Sequence, residues 1–123
     1  MNVVILLLIS VLYSCNSTAL GEVGSAVLAT NDKSMQKEAK PLTLALEKCE
    51  KKYKDIDSNM LCQMQVFEHF ANNDNFLAQE MMGQISLIKK NKEEAIKWFQ
   101  ASIDHPRSPK AFKEQVKAHI EKL

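Results

Sequence analysis

The sequence predicts an all-α fold of antiparallel helical hairpins, about five helices in all. Three observations carry this. The 123-residue chain holds only three glycines and three prolines, too few for the many turns of a β sandwich. Beyond residue 40, apolar residues recur at spacings of three and four, which sets them on one face of a helix. Short clusters of Asn, Asp, Ser and Pro interrupt these stripes, as caps and turns do. Hydrophobic residues make up 46% and charged residues 25%, the ordinary composition of a folded domain. Sixteen Lys and Arg against fifteen Asp and Glu leave a net charge of +1, which gives no electrostatic footprint for nucleic acid.

The chain opens on an apolar run, Val3 to Tyr13, too short to span a bilayer core of roughly 30 Å and suited to the core of a signal peptide. It ends in Leu12-Tyr13-Ser14-Cys15, which resembles the lipobox of bacterial lipoproteins. That resemblance implies a signal peptide over residues 1–14, with Cys15 acylated and exposed as the first residue of the mature chain. Asn16, in place of the aspartate that marks inner-membrane retention, then implies an outer-membrane address facing the periplasm. A second processing route stays open, cleavage after Ser17-Thr18-Ala19, which would discard Cys15. Residues 15–40 are mostly polar or small, without a sustained stripe, and read as a tether. As a coil of about 25 residues it would hold a domain roughly 25 to 30 Å from the membrane.

The helical domain is expected over residues 41–123. Pro41 suits a first helical position, and Leu42, Ala45, Leu46, Cys49 and Tyr53 follow on one face. Asp57 or Ser58 can cap a second helix whose stripe is Met60, Leu61, Met64, Phe67, Phe70 and Ala71. After Asn72-Asn73-Asp74, Asn75 can cap a third helix from Phe76 to about Lys90, with Leu77, Met81, Ile85 and Ile88 in phase. Glu93 and Glu94 favour the start of a fourth, lined by Ala95, Ile96, Phe99, Ser102 and Ile103 and ended by His105-Pro106. Ser108 and Pro109 form a cap and first-turn pair for a fifth, carrying Phe112, Val116, Ile120 and Leu123.

Cys49 and Cys62 lie at matched heights on either side of the first hairpin turn, so they can face each other. In an oxidising compartment such a pair forms a disulfide, and closing a loop of about 14 residues is worth roughly 3 kcal/mol in the chain-entropy model. Two buried free thiols remain the alternative. A metal site has less behind it, because His69, His105 and His119 are scattered and lack paired-ligand spacing.

From about Asn75 to Pro109, a quarter of the chain, the sequence resembles a degenerate tetratricopeptide or Sel1-like repeat of the 34-residue type. Met82-Gly83 stands at the Leu-Gly pair, Ala95 and Phe99 at the Ala-x3-Phe pair, and Ser102 at the small position one turn on. The resemblance implies an α-solenoid fragment in which Gly83 and Ala95 sit where two helices cross closely, Phe99 fills the gap, and the fifth helix caps the array. Gln79 and Ser86 depart from the pattern, occupying its aromatic positions.

No phosphate loop, nucleophile elbow or catalytic-cysteine context occurs, so no enzyme, cofactor or small-molecule substrate is expected. Trp98 lies beside the buried stripe of its helix, part-exposed as an interface anchor is, and is the candidate partner-binding residue. Together with resemblance to repeat lipoproteins of envelope assembly systems, this implies a membrane-tethered protein-interaction module with a protein partner in the cell envelope. The alternative is an accessory lipoprotein of immunity, exclusion or inhibitor type that blocks an enzyme or toxin.

Overall fold

The computed structural model describes residues 33–123, and every described element is a helix. They are α1 (Lys33–Lys52), α2 (Ile56–Asn72), α3 (Phe76–Ile88), α4 (Lys92–Asp104) and α5 (Lys110–Glu121). The all-α expectation holds. The stretch expected to be a signal peptide, residues 1–14, and Cys15 lie outside the described residues. The chain divides between Val66 and Phe67 into two compact units, a boundary inside α2 where the sequence shows no break.

In the first unit, α1 begins eight residues before Pro41, so residues 33–40 of the stretch expected as a tether are helical and Pro41 sits inside the helix rather than at its start. Pro41 has no N–H and leaves the Lys37 carbonyl without its usual helical donor. The helix continues through this defect because Glu38, Ala39, Leu42, Leu46 and Cys49 form one buried face that extends three residues upstream of the proline. Tyr53 to Asp55 then connect α1 to α2. The N-terminus of α2 is capped by Asp55, whose Oδ2 accepts the Ser58 N–H at 2.8 Å, rather than by Asp57 or Ser58. Hydrogen bonds from Ser58 hold the exposed Asp55 carboxyl below its ordinary range. Met60 is buried as expected, but Leu61 is 61% exposed and belongs to the outer face.

A disulfide joins Cys49 to Cys62 across this turn, with Cα atoms 5.7 Å apart. It falls within the ordinary span of a native bridge.

In the second unit, α3 packs along α4 and α4 along α5. The side chain of Asn75 caps α3 by accepting the Ala78 N–H at 2.9 Å, as its sequence position predicts. Asn91 does the same for α4 through the Glu94 N–H, just ahead of the Glu93 and Glu94 that favour its start. The core is built from Phe76, Ala78, Met81, Ile85, Ala95, Phe99, Phe112 and Val116. The Phe76 and Phe112 rings meet at 5.2 Å and tie α3 to α5. The last position of the expected α5 stripe, Leu123, is 37% exposed and lies beyond the helix. Ser108 does not cap α5; the N-cap is Pro109, without a side-chain bond, and the Ser108 hydroxyl is buried without a partner.

Candidate functional site

The residues that the repeat pattern singles out meet at the α3–α4 crossing. Gly83, Ala95, Phe99 and Ser102 are all buried, and Met82 is half-buried. A methyl group added at Gly83 would stand 2.5 Å from two carbons of the Phe99 ring, so the ring occupies the space a side chain would need. Ala95 and Phe99 have no exposed surface at all. Ser102 donates its hydroxyl proton to the Phe76 carbonyl at 2.8 Å, linking α4 to the first turn of α3. At the two departures from the pattern, the Ser86 hydroxyl donates to the Met82 carbonyl at 2.9 Å, and Gln79 Nε2 donates to the Ala71 carbonyl at 3.2 Å while its Oε1 is buried without a partner. Trp98 is half-buried on α4.

A buried polar cluster next to this crossing was not foreseen. Glu80 on α3 is 8% exposed and accepts a 2.8 Å bond from Gln84 Nε2, one turn on. The same carboxylate oxygen lies 3.5 Å from His119 Nε2 on α5, whose ring stacks obliquely near Phe99 at 5.7 Å. That distance suits an ion pair, yet burial works against both charges. Burial pushes the Glu80 carboxyl up from 4.5 to about 7, the Gln84 bond opposing it. His119 is pushed down, by burial first and by the nearby Lys122 charge second. Burial governs because neither group has a second, opposite charge to compensate desolvation, so it favours the protonated acid and the neutral imidazole over the ion pair. The cluster can bind or release a proton near pH 7 without a nucleophile beside it.

Signals for it exist in the sequence. Between Phe76 and Ile88 there is no Lys or Arg and Glu80 is the lone acid, which marks a helix enclosed on most sides.

The other two histidines play different parts. His105 is buried and its Nδ1 accepts the Arg107 N–H at 3.1 Å, which leaves the proton of the neutral ring on Nε2. Nε2 then donates to the Asp74 carbonyl at 2.9 Å, and Arg107 Nη2 donates to the same oxygen at 2.7 Å. The Asp74 carboxylate is 3.1 Å from His105 Nε2. This cluster binds the α2–α3 turn to the α4–α5 connector and secures Asp74 in a left-handed conformation, φ 71°. His69 is exposed at the end of α2, edge-on to Phe70. The three rings are not brought together, and no group of three His, Cys, Asp or Glu side chains placed to hold a metal occurs among the described residues. No described helix is long and apolar enough to cross a membrane.

No family model matches the chain, and neither a curated protein nor a solved structure matches it.

Proposed function

We propose that the chain is a non-catalytic protein-interaction module of the bacterial cell envelope, held at the membrane through an acyl group on Cys15. The observation that carries this reading is the Cys49–Cys62 disulfide, because such bridges persist in oxidising compartments and small units lean on them for stability. It agrees with the lipobox-like Leu12 to Cys15, which would export the chain and give it an outer-membrane address facing the periplasm. The second unit supports a binding role. Its crossing residues are spent on packing, while Trp98 is only half-buried, as a residue that anchors a partner is.

The test is affinity capture of the full chain from envelope extracts, with mass spectrometry of both bait and prey. A component of an envelope assembly, lost on Trp98→Ala, is the expected prey. Recovery of a toxin or hydrolase would replace this reading with that of an inhibitor or immunity protein. The mass of the bait reports the lipid on Cys15.

A further inference from the structure

Helix α1 carries six lysines against three glutamates, in a chain whose total charge is only +1. Five of the six are placed on one side, Lys52 lying off the stripe. Lys33, Lys37, Lys40, Lys48 and Lys51 are all exposed and follow one another at spacings that alternate between three and four residues, or twice four across Leu44. At the helical rotation they fall within about 80° of arc and run for about 27 Å along the axis. Exposed Leu44 lies in the middle of the stripe and exposed Glu47 at its margin. The buried face, Glu38, Ala39, Leu42, Leu46 and Cys49, is diametrically opposite. No ion pair with a described residue engages the five lysines.

We propose that this stripe lays α1 along the anionic phospholipid headgroups of a bilayer, with Leu44 pressed among them. The charge pattern selects that partner. The stripe is made of lysine alone, a point charge on a long stem that reaches toward headgroups, whereas bidentate recognition of a particular phosphate favours arginine. It offers no exposed aromatic ring on which bases could stack and only one apolar side chain, too little for the core of a protein interface. Seventeen residues separate Cys15 from Lys33, a link of at most about 60 Å even fully extended, so an acyl group there would keep α1 within reach of the surface. This last point rests on the anchoring reading above; the charge argument does not.

The test uses the full chain carrying Cys15→Ser, so that no acyl group forms. Partitioning is measured onto vesicles of phosphatidylcholine alone and of phosphatidylcholine mixed equally with phosphatidylglycerol. The leading apolar segment contributes alike to both, so the ratio isolates the charge. Each lysine near such a surface favours binding about fivefold, so the expected preference is about tenfold or more for the anionic vesicles. It should fall at least threefold in K37E/K40E/K48E, and likewise when salt rises from about 0.1 to about 0.5 M. A smaller preference, or one indifferent to these changes, overturns the proposal, as does preferential binding of duplex DNA or polyglutamate. If the triple variant loses its helical circular dichroism, K40E and the salt titration of the parent chain decide. An acyl-free Cys15 in chain isolated from its own envelope would remove the anchor and leave the vesicle result standing; no anionic preference in an acylated protein would remove the stripe alone.

Discussion

Phe99 cannot retreat when Gly83 gains a side chain, because the ring has no exposed surface and its carbons already stand 2.5 Å from where the new carbon would be. Gly83→Ala is therefore expected to destabilise the second unit by about 1 to 3 kcal/mol, the usual range for overpacking a closed core. A double-mutant cycle checks the cause. In a Phe99→Leu background, which vacates ring volume, Gly83→Ala should cost clearly less; equal costs in both backgrounds would mean that the ring is not what excludes the methyl group. A second residue-scale prediction concerns the chain reversal after α3. Lys90 is exposed yet held at φ 61°, where a side chain meets the following carbonyl oxygen. Lys90→Gly should raise stability by roughly 0.5 to 1 kcal/mol, the relief exceeding the extra freedom of the unfolded chain, and denaturant titration would register it as a higher midpoint. Asp74 shares the conformation but not the prediction, since a substitution there would also remove the carboxylate that faces His105 and Arg107.

At the scale of elements, what was legible was local. Asn75 could be read as a cap because its donor, the Ala78 N–H, is three residues away. Asp55, Asp57 and Ser58 are all competent caps within four positions, so the sequence leaves the choice open and backbone geometry settles it on Asp55. Pro41 misleads for a different reason. Propensity places it at a helix start, but a buried face that runs from Glu38 to Cys49 outweighs one missing hydrogen bond. The scarcity of charge on α3 marks that helix as enclosed, but the partner that Glu80 meets, His119, lies 39 residues on and no spacing rule on α3 foretells it. Its consequence is a pH dependence in the seating of α5. The folded unit holds the Glu80 carboxyl at about 7 against an ordinary 4.5, so the folded state binds the proton more tightly. Its favourable contribution is complete below about pH 4.5 and lost as pH rises through about 7, a change on the order of 3 kcal/mol. His119, pushed the other way, loses its contribution as pH falls below its ordinary 6.5. The two slopes oppose each other in the acidic range, and above it only that of Glu80 remains. Thermal melts from about pH 6.5 to 8.5 should thus show falling stability in the parent chain and a flatter profile in Glu80→Gln. A parent profile already flat, or one that rises, would show that the carboxyl is not held in its protonated form.

The whole molecule shows why one cross-link matters more than its size. A chain with about 90 described residues, divided into two compact units, gives each unit a small core, and small cores leave little margin over conformational entropy. The first unit compensates covalently. Its bridge joins residues 13 apart in sequence and so removes loop freedom from the unfolded chain worth roughly 3 kcal/mol. The pairing was legible because the two cysteines flank one turn on consecutive helices; the division of the chain was not, because α2 runs through the boundary unbroken. Replacing both cysteines, Cys49→Ala with Cys62→Ala, is expected to lower stability by about that amount, with faster amide exchange concentrated in α1 and the part of α2 up to Val66. The amides of α3 to α5 should change much less, since their core contains neither sulfur. If exchange instead rises evenly from Lys33 to Leu123, the chain unfolds as one cooperative body and the bridge stabilises all of it. The compartment enters here as well: the same double variant should accumulate to a lower level than the parent when both are exported, and the difference should shrink when both are kept in a reducing cytoplasm, where the parent lacks its bridge too.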